Sequence, residues 1–401
     1  MRNPFTSKHF RLWWMASLVA GTGVGIQTVT VALFIRDRVD SDQRALAIAA
    51  ALVAQTLPGA LVALIGGTIA DRVERSRILA RTYAISAAVA AVYVLLSGLD
   101  VRVIWPVFLL ASLVGAAAAF SNPARQSMLP QLVTPSQLGN GVIFGTIGFM
   151  ATLQFLGPSI AGLVVDARGL TTAFCLEVVL LCVGAALFSR VRTPVPEPTG
   201  GTVVADLLEG LRYARREPAI LGLLLLGSVI GVVFIGPFSV TVPIMVPDVF
   251  GASDKWVGLL WGCFGAGVLT GSLLLTLQPL PRRGLAVCLT IVVGGVLQLL
   301  YGRTEQLGLA AGLQLLSGLN ASVFMNYVVT LLQENTEPRM MGRVMSMYTL
   351  SFFASMPVGY AQAGVVTGAF GPQVTLVASG TAAVAIGLAC AILMRRVREL
   401  R

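Results

Sequence analysis

The chain has 401 residues, of which 56% are hydrophobic and 11% charged, with a mean hydropathy of +0.84. Soluble domains carry about 25% charged residues, so this composition excludes an ordinary soluble protein and is typical of a membrane protein. A net charge of +10 could indicate binding to nucleic acid. The basic residues, however, lie between apolar runs, and we expect no nucleic-acid partner.

Twelve apolar runs are long enough to cross the hydrocarbon layer, which takes about 20 helical residues. Short charged or Pro/Gly-containing breaks separate them. The sequence therefore predicts an all-α membrane protein. The predicted spans are residues 12–35, 45–69, 78–98, 104–121, 141–165, 170–189, 219–246, 256–277, 284–302, 307–333, 344–367 and 373–394.

Lysine and arginine are distributed unevenly between the two sets of loops. With the N-terminus in the cytoplasm, 21 of the 28 basic residues fall in cytoplasmic segments and 7 fall outside. Basic residues are retained on the cytoplasmic side, and an even number of spans returns the chain to its starting side. We therefore expect both termini in the cytoplasm. The first apolar run is interpreted as a retained span rather than a signal peptide.

The longest polar interruption, residues 191–218, divides the spans six and six. It predicts an N-terminal bundle over 1–190 and a C-terminal bundle over 219–401, joined by a cytoplasmic linker. Within the linker, Val204 and Leu211 fall at helical spacing opposite Asp206. This pattern indicates an amphipathic helix on the cytoplasmic membrane surface, with a solvated linker helix as the alternative.

Two short strings indicate that the halves are repeats. TPSQLG from Thr134 and EPRMMG from Glu337 share a P-x-x-x-G spacing and lie 203 residues apart. Each stands just before an odd-numbered span. A duplicated six-span unit is the build of transporters whose halves rock around a central site.

The most informative string is GGTIADRVERSR, residues 66–77, between the second and third spans. It resembles the G-x-x-x-D-R-x-x-R motif A of the major facilitator superfamily, although Glu74 replaces a usual glycine. An acid at the membrane edge can engage arginines or a helix N-terminus and so hold one conformation. The alternative is that the arginines are only topology signals. The matching residues are Gly67, Asp71, Arg72, Arg75 and Arg77.

In the fifth span, LGPSIAG resembles the antiporter-associated G-P-x-x-G-G pattern of the same superfamily. Gly157, Pro158 and Gly162 match, and Ala161 replaces one glycine. Small residues and a proline would let this helix bend and pack tightly.

Three further strings extend the resemblance over nearly the whole chain. They are NPARQSMLPQLV from Asn122, LLEGLRYARREP from Leu207 and GRVMSMY from Gly342. With motif A they are similar to the branch that contains the macrolide-efflux proteins and the enterobactin exporter.

The resemblance implies a major facilitator fold of two pseudo-symmetric six-helix bundles, without enzymatic activity. It further implies export of drug-like compounds or a siderophore across a bacterial inner membrane, commonly by proton antiport. Arg125 and Arg343 would then join motif A in a conformational gate. A metabolite uniporter or importer, a receptor and a lipid scramblase remain as alternatives. We expect a monomer among membrane lipids, with no cofactor or metal, since the five cysteines show no metal-type spacing.

Ionisable groups at membrane depth are costly and often functional. Glu177 in the sixth span and Asp37 at the end of the first span are therefore the candidates for coupling transport to protons. For Glu177 the alternative is a structural role, because the sixth helix usually lies beside the cavity in this superfamily. For Asp37, flanked by Arg36 and Arg38, it is an extracellular gate pair.

By the same resemblance, spans 1, 4, 7 and 10 would line the cavity, with contributions from 5, 8 and 11. Amides and aromatic rings can hold an amphiphilic ligand by hydrogen bonds and stacking. Hydrogen bonding between helices is the alternative for each. The mid-depth candidates are Gln27, Gln154, Phe234, Trp261, Asn320, Asn326, Tyr327, Tyr348 and Phe352.

Overall fold

A computed structural model describes residues 3–65, 74–192, 203–278 and 280–400, with side chains apart from those of 60–65 and 203–208; within these ranges the chain is helical and has no strand. Twelve long helices, α1 to α12, follow the predicted spans in order. Their bounds are Lys8–Arg36, Ser41–Ile65, Arg75–Gly98, Trp105–Leu132, Pro135–Arg168, Leu170–Ser189, Pro218–Asp248, Lys255–Leu277, Arg283–Arg303, Leu307–Asn335, Met341–Phe370 and Pro372–Leu393.

Of these helices, ten have both the length and the hydropathy of a membrane span within the described part of the chain. The other two, α2 and α11, contain 25 and 30 residues and lie where the second and eleventh spans are predicted. The fifth span is longer than its predicted range because a short 3-10 turn from Pro135 leads directly into it.

Contacts divide the chain into two compact units. Unit 1 comprises residues 1–39, 57–200 and 253–262, and unit 2 comprises 40–56, 201–252 and 263–401. The units therefore differ from the predicted sequence halves in two segments: the first part of α2 belongs to unit 2, and the first part of α8 belongs to unit 1.

The core of unit 1 lies where α1 and α3 pack against α6. Trp13 and Leu181 are at most 1% exposed in this core. The rings of Tyr83 and Phe188 stack with their centroids 5.4 Å apart. Aromatic pairs add directional packing to apolar burial, so the three helices hold a fixed register.

The core of unit 2 is built on close helix crossings. A Cβ on Gly295 of α9 would meet the carbonyl oxygen of Gly380 of α12 at 2.7 Å, so the two backbones touch. Small residues at such crossings allow the close packing that associates helices in lipid.

One glycine makes each of the turns α5–α6 and α11–α12. Gly169 has φ 83° and Gly371 has φ 87°, values that residues with a side chain rarely adopt. The two glycines lie 202 residues apart. The turns therefore occupy equivalent places in the two sequence halves.

A short π-helical segment interrupts α5 over Ala151–Leu156 and another interrupts α7 over Gly231–Ile235. Such segments shift the regular hydrogen bonds of a helix and are frequent at functional sites. In α7, two glutamines reach the affected carbonyls. Gln362 of α11 donates to Val232 at 2.7 Å, and Gln298 of α9 donates to Val233 at 2.8 Å.

Gln298 is buried, with 8% of its surface exposed. Its amide also donates to the Ser379 hydroxyl of α12 at 2.6 Å. We expect Gln298→Leu to destabilise the protein by about 1–3 kcal/mol, since buried acceptors lose their donor. Thermal unfolding in detergent measures this as a lower Tm. Gln131→Leu, at an exposed position of α4, is the control. Equal Tm values for the two variants would contradict the role given to Gln298.

The linker contains a helix, Val203–Arg216, as predicted. One face of its described part packs on protein, and its place on the membrane surface stays a prediction. Ala214 is fully buried, and Gly210 is close enough to α11 for a Cβ to meet the Met347 sulfur at 2.7 Å. Glu209 pairs with Arg343 at 2.8 Å. Small residues on this face admit α11, so the linker helix docks on unit 2.

Candidate transport and coupling sites

The antiporter-type string of α5 makes two close helix crossings within unit 1. A Cβ on Gly157 would lie 2.7 Å from the Cα of Gly25 in α1. A Cβ on Gly162 would lie 2.5 Å from the Lys255 carbonyl and 3.0 Å from the Gly258 nitrogen at the start of α8. The first glycine thus seats α5 on α1, and the second seats it on α8.

The same arrangement recurs in unit 2 on a string that the sequence analysis did not single out. VGYAQAG, residues 358–364 of α11, repeats the apolar-G-x-x-x-A-G pattern of LGPSIAG exactly 202 residues later. A Cβ on Gly359 would meet α7 at the Val232 Cα, 3.0 Å away, and one on Gly364 would meet Ala49 of α2. The helix set α1, α5, α8 therefore has a counterpart in α7, α11, α2.

Charged side chains join the helix ends beside these crossings. We call the ends at the turns that follow odd-numbered helices the distal ends. At the distal end of α1, Arg36 donates to both carboxylate oxygens of Asp254, at 2.6 and 3.0 Å, and to Asp37 at 2.6 Å. The Arg36 side chain is only 10% exposed. A two-pronged arginine–carboxylate pair fixes orientation as well as distance, so we call these three residues the distal latch.

A second, looser pair lies in unit 2, where Arg44 of α2 is 3.8 Å from Asp248 at the distal end of α7. In both pairs the arginine comes from the first sequence half and the aspartate from the second.

The two candidates for proton coupling, Asp37 and Glu177, have different surroundings. The Asp37 carboxylate contacts Arg36 in the distal latch.

Glu177, by contrast, lies inside unit 1 on α6 and is fully buried. Neither of its carboxyl oxygens has a hydrogen-bond partner among the described residues. The Thr30 hydroxyl of α1 is the polar group beside it. An ionised carboxylate without a partner is costly to bury, so this arrangement suits the neutral acid.

A family model described as transmembrane secretion effector matches residues 2–400. The chain belongs to this family of the major facilitator superfamily. Its family is therefore one of membrane transporters, and the predicted family resemblance is confirmed.

Two curated relatives are less than a third identical to this chain and match nearly its full length. Macrolide efflux protein A of Streptococcus pyogenes is 22% identical over 99% of this chain and 98% of its own length. Multidrug efflux pump Tap of Mycobacterium tuberculosis is 28% identical over 100% of this chain and 96% of its own length.

Solved structures confirm the predicted fold class. A peptide transporter POT, 14% identical, superposes with a TM-score of 0.76 over 98% of this chain and 96% of that chain. A bacterial homologue of the human lysosomal transporter Spinster, in an inward-facing and unoccupied conformation, is 15% identical with a TM-score of 0.70, over 99% of this chain and 98% of that chain. The chain therefore has the major facilitator fold.

The predicted gate residues fall into several groups. Gly67, Asp71 and Arg72 lie outside the described residues. Arg75 donates to the Ser127 carbonyl of α4 at 2.8 Å, and Arg77 pairs with Glu74 at 2.8 Å.

The two arginines that were expected to join motif A sit in different surroundings. Arg125 is 5% exposed, and its guanidinium lies over the Phe149 ring of α5 at 3.6 Å. Arg343 is held by Glu209 of the linker helix. The gate role of this set stays a prediction.

Several cavity candidates are engaged with neighbouring helices of unit 2. Asn320 donates to the Thr290 carbonyl of α9 at 2.8 Å, Asn326 donates to the Ser272 hydroxyl of α8 at 3.1 Å, and Tyr327 accepts from the Leu280 amide at 2.7 Å. The Phe234 ring packs beside Gly294 of α9. These contacts favour the alternative of interhelical bonding.

The remaining candidates lie on several helices. Gln154 lies in the π-helical segment of α5, with its amide oxygen buried and without a partner. Tyr348 and Phe352 pack with ring centroids 6.4 Å apart on one side of α11. Gln27 is 4% exposed, and Trp261 is partly exposed near the start of α8. Their contact with substrate stays a prediction.

Sequence reasoning missed Asp254, Gln298 and Gln362. The search covered charged groups inside the spans, and Asp254 stands in the short loop before α8. An inventory of amide side chains within the apolar runs of α9 and α11 would have found the two glutamines.

Proposed function

We propose that this protein exports drug-like amphiphilic molecules from the bacterial cytoplasm by alternating access, with proton entry as the energy source. Its curated relatives are named as macrolide and multidrug efflux proteins. The predicted topology places both termini in the cytoplasm, so the distal ends face outward and the distal latch lies on the outer side.

The matched crossings of α5 and α11 carry the proposal. Each helix uses one glycine against a helix of its own sequence half and a second, five residues further on, against a helix of the other half. Inverted or repeated halves that rock around a central site are the mechanism of secondary transporters. In the proposed cycle, the repeated crossing closes the outer side of the transporter.

The substrate class follows from the described side chains. The partly exposed aromatic pair Tyr348 and Phe352 follows the partly exposed Met345 on α11 at helical spacing. Flexible thioethers and flat rings adapt to apolar shapes without demanding one hydrogen-bond pattern. Such a surface suits varied lipophilic compounds better than a polyanionic siderophore.

Inside-out vesicles containing the purified protein test the proposal. We expect a fluorescent lipophilic amphiphile to accumulate when the vesicle interior is made acidic and the accumulation to stop when a protonophore collapses the gradient. A proton entering at about 150 mV supplies roughly 3.5 kcal/mol, enough for about a 300-fold gradient of a neutral substrate.

Vesicles without protein and an iron-free siderophore are the controls. If uptake of the amphiphile does not depend on the gradient, the protein is a facilitated transporter and not an antiporter. If only the siderophore is taken up in response to the gradient, the proposed substrate class is wrong.

A further inference from the structure

Glu177 has surroundings that differ from those of every other acid in the described spans. It lies on α6, seven residues after the helix begins at Leu170, or about 10 Å inward from the distal end at 1.5 Å per residue. It is fully buried, and both carboxyl oxygens lack hydrogen-bond partners within the described residues. No described lysine or arginine forms an ion pair with it.

Three helices of unit 1 enclose this carboxyl group. On its distal side the rings of Phe34, Tyr93 and Phe174 form a cluster with centroids 5.1 to 5.9 Å apart. On its other side Leu181 of α6 packs against Gly23 of α1 at a distance where a Cβ would reach 3.0 Å. The side chain of Leu181 therefore packs directly on the α1 backbone beside the carboxyl group.

The charged and titratable groups on the surrounding helices are few. Tyr93 of α3 faces Glu177, and its hydroxyl donates to the Val107 carbonyl at 3.4 Å. The next ones along α1 are Arg36 and Asp37, which bind each other. The distal end of α5 carries Asp166, which lies 3.9 Å from Lys255, and Arg168.

Burial, rather than hydrogen bonding, favours one form of the acid. The Thr30 hydroxyl of α1 donates to the Ile26 carbonyl of its own helix at 3.1 Å, and a hydroxyl can serve either form of the acid because it both donates and accepts. An ionised Glu177 would be enclosed by apolar side chains without a described cation in an ion pair with it, whereas a neutral acid is far less costly to bury. The surroundings of Glu177 therefore favour the protonated form.

We infer that Glu177 is the proton-binding group of the antiport cycle and that α1 responds to its charge. This inference rests on the proposed function. With the proton bound, α1 packs over the neutral acid and the distal latch can form at its end. When the proton leaves toward the cytoplasm, the unpartnered carboxylate disfavours this packing and α1 is released from α6 on the distal side.

The sign of this coupling matches an exporter. A proton taken from the outside favours closure of the distal side, which is the state that accepts cargo from the cytoplasm. Loss of the proton favours opening of the distal side, which is the state that discharges cargo. Asp37 is not assigned this role, because it lies at the distal end of α1 in contact with Arg36 and is not enclosed between α1 and α6.

Glu177→Gln tests the assignment, because glutamine keeps the shape and cannot release a proton. We expect the variant to lose gradient-driven accumulation of the fluorescent amphiphile by about tenfold or more while retaining gradient-independent exchange of the same probe across the vesicle membrane. Glu305→Gln, the same substitution at an exposed acid in the turn after α9, should keep gradient-driven accumulation. If accumulation by the wild type does not depend on the gradient, the proposed function is overturned. If accumulation by Glu177→Gln is still driven by the gradient, only this inference is overturned.

A second measurement covers a variant that fails to fold. Proton release on adding the amphiphile to purified protein is followed with a pH-sensitive dye over a range of pH. We expect wild type to release protons and Glu177→Gln to release none, because glutamine has no acid proton. Glu177→Asp keeps an acid at this position and should still release protons. Proton release that persists in Glu177→Gln would overturn the inference.

Discussion

Leucine at Gly162 or at Gly364 is expected to reduce transport about tenfold or more and to open the distal side of the protein. Overpacking a close contact costs about 1–3 kcal/mol, and each 1.4 kcal/mol changes a population about tenfold. At neither position can the neighbouring atoms move away easily to make room for the leucine side chain. Gly162 faces the backbone of α8, and Gly364 faces the Ala49 methyl of α2.

Thiol labelling measures the opening directly in a background without the native cysteines. Ser159 of α5 has a buried hydroxyl against Gly262 of α8, so Ser159→Cys reports on the α5–α8 crossing. Ala49→Cys reports on the α11–α2 crossing. We expect a membrane-impermeant maleimide added outside to label each reporter faster when the leucine is present at that crossing.

Gly312→Leu is the matched control, because nothing lies within 4 Å of a Cβ at this exposed position of α10. It should leave transport and labelling at the level of the parent. Leucine variants whose labelling stays at the control level while transport falls would show that the crossings serve another step.

Reversing one charge of the distal latch is expected to reduce transport by about 30-fold or more, and reversing both should restore a substantial part. Arg36→Asp places three carboxylates together, and Asp254→Arg places two guanidiniums together. Removing one partner of a largely buried pair costs about 3–5 kcal/mol; because Asp254 is 26% exposed, we expect a value nearer 2 kcal/mol.

The double variant, Arg36→Asp with Asp254→Arg, rebuilds the pair with its polarity exchanged. Gradient-driven uptake of all four proteins forms a double-mutant cycle, and we expect a coupling energy of at least about 1 kcal/mol. Arg44→Asp, at the looser pair 3.8 Å from Asp248, provides a comparison with a smaller expected effect. Additive losses without recovery would show that Arg36 and Asp254 act separately.

Local patterns predicted the helices because each span carries its own signal. Twenty apolar residues identify a span without reference to any other part of the chain. The glycines of LGPSIAG predicted tight packing for the same reason, since small residues have that effect wherever they face. The family followed from motifs that are contiguous in sequence.

The partners of those residues could not be predicted in the same way. Arg36 and Asp254 are 218 positions apart, and helical periodicity does not say which loop meets which. The π-helical segment of α7 has no recognisable sequence pattern. The hydrogen bonds from Gln298 and Gln362 to its carbonyls therefore could not be predicted. For Asn320 and Asn326 the residue type was informative and the direction was not, because an amide serves a ligand and a neighbouring helix equally well.

The two pairs at the distal ends have a consequence for which halves of the sequence can associate. Arg36 and Arg44 lie on the first half of the sequence, and Asp248 and Asp254 lie on the second. Two copies of the same half would oppose like charges at both places, and like-charge opposition is an effective means of rejecting wrong partners. The charge distribution therefore favours association of the two different halves of one chain over association of two copies of one half.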